Sequence, residues 1–145
     1  MRARDLVADY PVVTLDTPVL EAARLMAEQD LPGIIVRGDD QLTILPGTET
    51  LRLAVPRYIM DDPALSRVVD EGHADRFLGS LGNRTVREAL PQERRELPVT
   101  DPDATVVELA ALMARTRSPL VAIVEQGRLL GAVTLQALLD RMLET

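Results

Sequence analysis

The chain offers one imidazole for acid–base or metal chemistry. His73, in the run "DEGHADR", is the single histidine among 145 residues. On a helix, Asp70 and His73 would share one face, and Glu71 and Asp75 another. A metal ion needs three or four converging ligands, and one histidine with acidic neighbours falls short. A solvated helix face accounts for the same residues, so no metal site is expected. The chain has no cysteine, which removes disulfides, thiolate nucleophiles and cysteine-ligated zinc. All 16 basic residues are arginine. That excludes a Schiff-base lysine, a phosphate-loop lysine and a Ser–Lys pair. A Ser–His–Asp triad would have His73 as its base, and no "GxSxG" turn accompanies it. No catalytic residues are expected, and the chain does not read as an enzyme.

The elements that could position a binding site belong to an ordinary globular chain. It is 46 % hydrophobic and 27 % charged. Tyr10, Tyr58 and Phe77 are its aromatics, so the core must come from Val, Leu, Ile, Ala and Met. A net charge of −7 offers no basic footprint for nucleic acid or for an anionic membrane surface. No apolar run approaches the roughly 20 residues that span a bilayer. The opening "MRARDLVADYP" has no apolar signal-peptide core. The expected location is the cytoplasm.

The strongest signal is internal repetition. "VLEAARLMAEQDLP", residues 19–32, returns as "VVELAALMARTRSP", residues 106–119, with Glu21 and Glu108 lying 87 positions apart. At that offset Pro11 meets Pro98, Asp16 meets Asp103, Met26 meets Met113, Pro32 meets Pro119 and Leu42 meets Leu129. Each copy predicts the same order of elements. An extended piece ("PVVTL", "LPVT") comes first, followed by a helix. Thr17 and Pro18 suit the first helix start, and Thr105 with Glu108 forms a capping box at the second. Leu20, Ala23, Met26 and Ala27, and then Val106, Leu109, Leu112 and Met113, recur at helical spacing. Pro32 and Pro119 close the helices. Two strands follow ("GIIV" and "LTIL"; "LVAIV" and "LLGAVT"), then a second helix beginning near Thr48 or Leu135. Residues 56–84 separate the copies and read as a helical insert. Its predicted apolar side is Leu65, Val68, Val69, Phe77, Leu78 and Leu81, and Gly82–Asn83 is its stop. The domains read as repeat 1 over 1–55, the insert over 56–84 and repeat 2 over 85–145. One unit cannot cover both faces of its small sheet, so the two should pack sheet to sheet about a pseudo-twofold axis. The fold class is α/β (α+β).

"PVVTLDTPVLEAARLMAEQDLPGIIV" and "LPVTDPDATVVELAALMARTRSPLVAIVEQGRLLGAVT" resemble a tandem pair of cystathionine-β-synthase (CBS) domains. "RDLVAD" at 4–9 and "TVREAL" at 85–90 resemble the segment that leads into each repeat of that family. The resemblance spans nearly the whole chain except roughly residues 56–84. It implies a stand-alone β-α-β-β-α pair that regulates rather than catalyses. Such modules form homodimers and often take AMP, ADP, ATP or S-adenosylmethionine in clefts between the repeats. They gate an effector, here a separate transporter or metabolic enzyme. The alternative is a structural adaptor that has lost its ligand.

The resemblance also implies site residues. In nucleotide-binding members a Ser or Thr at the end of the second strand is followed three residues later by an Asp that holds the ribose. Thr134 matches the hydroxyl, but Ala137 stands at the acid position. In copy one Gly47 and Thr48 stand there, followed three residues later by Thr50 and Leu51, and Glu49 lies out of register by one or two places, depending on where the turn gap falls. Loss of that ribose contact would cost about 1–3 kcal/mol. Thr14, Thr100 and Asp101 lie on the extended segments that line such clefts. Pro119, Val121, Arg117 and Arg37 lie near their edges. Thr134 can equally cap the helix that follows it.

Overall fold

The computed structural model describes residues 1–55, 57–68, 71–93 and 96–144, and the side chains of all of these except 57, 73, 74, 77 and 78. The chain divides into two compact units, one of residues 1–11 with 96–145 (unit 1) and one of residues 12–95 (unit 2).

Unit 2 has a three-stranded sheet, ordered β1 (Val12–Thr14), β2 (Gly33–Arg37), β3 (Leu42–Pro46). β1 runs parallel to β2, and β2 antiparallel to β3. Helix α2 (Val19–Glu28) makes the parallel crossover, and α3 (Gly47–Ala54) follows β3. Unit 1 repeats the plan with β4 (Val99–Thr100), α8 (Val106–Thr116), β5 (Leu120–Glu125), β6 (Arg128–Thr134) and α9 (Leu135–Leu143). The strand sequences are rich in β-branched residues, and their central side chains are buried on both faces. The helices bury matching positions. Val19, Ala22 and Met26 line the core of unit 2, and Leu109 and Met113 that of unit 1.

The helix starts differ from expectation. Thr105 caps α8 by accepting from the Glu108 N–H at 3.2 Å. Thr17 does not cap α2. Its Oγ1 accepts from the Thr14 N–H at 3.0 Å and closes the turn before the helix, leaving Pro18 at the cap position with no side-chain bond.

The lead-in segments are exchanged between the repeats. Helix α1 (Ala3–Leu6) precedes repeat 1 but docks on repeat 2. There the Ala3 N–H donates to the Ala104 carbonyl and the Arg4 N–H to that of Pro102. Helix α7 (Val86–Ala89) precedes repeat 2 but docks on repeat 1, with Val86 donating to Thr17 and Arg87 to Leu15. The ion pairs match as well, Arg4 with Asp103 and Arg87 with Asp16. Unit 1 therefore owes part of its core, Ala3 with Leu6 and Val7, to the opposite end of the chain.

The insert is a chain of short helices: α4 (Arg57–Asp61), α5 (Pro63–Ser66), α6 (Glu71–Gly79) and a 3-10 turn over Ser80–Asn83. Pro63 takes the first helical position under an Asp62 cap, as its type predicts. The expected apolar side is not continuous. Leu81 is 5 % exposed and joins the core, whereas Val68 is 76 % exposed. Val69 lies outside the described residues, as do the side chains of Phe77 and Leu78. Breaks at Asp62 and after Ser66 take the pieces out of one helical register, so a stripe drawn through them does not stay on one side.

Candidate functional site

The two strand-to-helix turns differ because the repeats slip by one residue. In β5–β6, Ile123 faces Gly131 but Val124 faces Leu129, so Leu130 is an extra, bulged residue. In β2–β3, Val36 faces Thr43 and Arg37 faces Leu42 with no bulge. Before the bulge Leu42 matches Leu129, 87 positions on; beyond it Pro46 matches Thr134, 88 positions on. Hydrogen bonds agree with this. The Gly47 N–H donates to the Pro32 carbonyl at 3.0 Å, as the Leu135 N–H does to that of Pro119 at 2.8 Å.

This register corrects the placement of the copy-one residues. Thr48 is not the counterpart of Thr134; Pro46 is, and it carries no hydroxyl. Glu49 stands three residues after the strand end, in register with Ala137 and at the place where the resemblance puts the ribose acid. The signal was in the sequence as a one-residue length difference. A gapless alignment hides it, and only the pairing shows on which strand the extra residue falls.

Glu49 lies in an open depression of about 360 Å³ with Ile44, Pro46 and Thr48, facing Pro91 and Glu93 from the segment after α7. Its carboxylate accepts from Arg52 Nε at 2.6 Å. The Thr50 hydroxyl donates to the Gly47 carbonyl at 2.6 Å and tightens the first turn of α3. A carboxylate on a short, braced turn can accept hydrogen bonds from a diol or an amine. Among the described residues no group of three or more His, Asp or Glu converges to hold a metal ion.

In unit 1 the matching turn is closed on itself. Thr134 Oγ1 accepts from the Ala137 N–H at 3.1 Å and caps α9. Asp101 Oδ1 accepts from the Asp103 N–H at 2.8 Å and shapes the turn before α8. Thr100 ends β4 beside Ile123. The Val121 side chain is buried in the core of the unit, so no side-chain group of Val121 is exposed. Arg117 ends α8 in the left-handed conformation (φ 55°), as Asp30 does after α2 (φ 54°). With Pro119 it lines an apolar groove between α8 and α9. In unit 2, Thr14 lies beside Arg37 in the parallel pair β1–β2, both exposed. Asp70 and the side chain of His73 lie outside the described residues.

A family model described as the CBS domain matches residues 3–48 and 86–144. The chain belongs to the CBS-domain family. It is a CBS pair, with the insert between its two matched stretches. A CBS domain-containing protein of unknown function from Kribbella flavida is 42 % identical over 99 % of both chains, with a TM-score of 0.87. The CBS domain of a CBS domain-containing membrane protein from Sphaerobacter thermophilus is 21 % identical over 97 % of this chain and 86 % of its own, with a TM-score of 0.70. The CBS-pair protein CBSX2 of Arabidopsis thaliana, solved in complex with AMP, is 18 % identical over 98 % of this chain and 96 % of its own, with a TM-score of 0.64. At these lower identities the likeness is one of fold. Comparison with curated proteins gave no match. No described helix is long and apolar enough to cross a membrane.

Proposed function

We propose that this CBS pair is a non-catalytic regulatory module that binds an adenine nucleotide or S-adenosylmethionine and passes its state to a separate effector. The observation that carries this reading is Glu49, three residues beyond the end of β3 in a solvent-open depression. There its carboxylate would accept the ribose hydroxyls. Thr48 and Ile44 line the same depression, and the AMP complex of CBSX2 provides a precedent on this fold. The module would act as a homodimer in the cytoplasm, with a transporter or metabolic enzyme as effector. The net charge of −7 opposes nucleic acid as the partner.

Calorimetry with AMP, ADP, ATP and S-adenosylmethionine tests the reading. At least one should bind, and Glu49→Gln should weaken it about tenfold, the equivalent of about 1.4 kcal/mol. No heat from any of the four at millimolar concentration would sink it. The adaptor reading draws on a different observation: each turn carries half of the family's pair, since Pro46 lacks the hydroxyl and Ala137 lacks the acid. An adaptor would retain its effector equally well with and without nucleotide in co-purification.

A further inference from the structure

The depression that holds Glu49 carries charge of one sign among its described residues. Glu49 and Glu93 are its charged lining groups, beside Ile44, Pro46, Thr48 and Pro91. The Glu49 carboxylate already holds Arg52, through Nε at 2.6 Å. That arginine is therefore spent on a protein carboxylate. Glu93 is exposed and makes no ion pair among the described residues.

The donors that a phosphate needs are scarce at the same place. A helix N-terminus favours an anion, but Glu49 already stands in the first turn of α3. Pro46, at the cap position, has no N–H and no hydroxyl. The Gly47 N–H is taken by the Pro32 carbonyl at 3.0 Å. Among the described side chains of the lining, the Thr48 hydroxyl is the one donor. Ile44, Pro46 and Pro91 offer apolar surface to a flat ring. The depression measures about 360 Å³, so a ligand whose sugar reaches Glu49 brings its other groups near Glu93.

We propose that Glu93 is the specificity-determining residue of this depression: it repels the phosphates of a nucleotide and selects an adenosyl compound with a neutral or cationic group in their place. Of the ligands named above, S-adenosylmethionine fits, through its sulfonium and amine. The inference rests on the adenosyl reading of the Glu49 depression and narrows it. A phosphate monoester carries about −1.5 to −2 charges at neutral pH, and a triphosphate carries more. A like charge facing it discriminates against the wrong ligand without a new contact to the right one. Glu93 is exposed, so salt screens the effect, and low ionic strength is where it is largest.

Calorimetry of the full-length protein with adenosine, S-adenosylmethionine, AMP and ATP in low salt is the test. Adenosine and S-adenosylmethionine should bind at least about tenfold more tightly than AMP, and ATP more weakly still. Glu93→Gln should narrow the gap between adenosine and AMP about threefold. Added salt should narrow the gap more in the parent than in this variant. Glu49→Gln should instead weaken adenosine and AMP together. Circular dichroism melts check the fold of both variants, and Glu93→Ser replaces Glu93→Gln if that one fails. AMP or ATP binding as tightly as adenosine overturns the inference and leaves the nucleotide reading standing. The same holds for a gap that Glu93→Gln does not move. Arg94 and Arg95 lie outside the described residues, and tight AMP binding that disappears in Arg94→Gln or Arg95→Gln would assign the phosphate to them and also overturn the inference. No heat from any of the four ligands sinks both readings.

Discussion

A methyl group at position 131 would overlap the carbonyl oxygen of Ala8. Gly131 (φ 151°) lies beside the bulge in β6, where Ala8 and Ala132 exchange backbone hydrogen bonds at 3.1 and 3.0 Å. Backbone cannot move aside as a flexible side chain can, so Gly131→Ala should cost about 1–3 kcal/mol, the usual range for overpacking. Gly82→Ala, with nothing within 4 Å, should stay within about 0.5 kcal/mol of the parent. Urea midpoints at constant slope check both. A second residue-scale effect concerns pH. Burial pushes the Tyr10 phenol up to about 12 from 10.0. The unfolded chain therefore releases this proton first, and stability falls as pH rises from 10 towards 12. The full effect is about 2–3 kcal/mol, and it is fully retained below pH 10. In Tyr10→Phe the alkaline limb of the stability profile should flatten.

At the scale of elements, Ile59 and Leu81 are the buried aliphatic side chains of the insert among its described residues. Leu81 is in the core with Val19, Ala22 and Ala54, whereas Val68 projects into solvent. Leu81→Ala should destabilise by about 2–4 kcal/mol, through lost burial and the cavity left behind. Val68→Ala should change stability by less than about 0.5 kcal/mol. Chemical denaturation of the two variants distinguishes an insert pinned at its 3-10 turn from one held along its length. The helix starts are another element-scale lesson. Thr105 stands directly before α8 and caps it, whereas Thr17 stands two residues before α2 and closes a turn, with Pro18 in the cap position. Pro18 has no N–H to donate, and it shifts the point at which the first helix can begin.

At the scale of the whole molecule, the exchange of α1 and α7 makes each compact unit depend on sequence from both sides of a repeat boundary. Deleting residues 1–11 removes Ala3, Leu6 and Val7 from the core of unit 1, together with the Ala8–Ala132 pairing. The damage should appear in the C-terminal repeat. Hydrogen exchange at amides 120–134 should quicken by an order of magnitude or more, while that at 33–46 changes little. Equal loss of protection in both sheets would show that the two units unfold as one.

The repeat, the order of elements and most of the core were legible in the residues alone. Helical spacing of Val, Leu, Ala and Met, strand runs of β-branched residues and paired prolines are local signals, and each appears twice. The charge balance and the missing cysteine and lysine bounded the chemistry in the same way. The site was less legible. One bulged residue, Leu130, decides whether Glu49 or Thr50 follows the strand end by three places, and a bulge is a property of pairing between two strands. Where the lead-in helices dock, which of Val68 and Leu81 is buried, and that an apolar groove opens between α8 and α9 depend on contacts between distant parts of the chain. Such contacts leave no periodic trace in the sequence, because any apolar face of the right size could have met them.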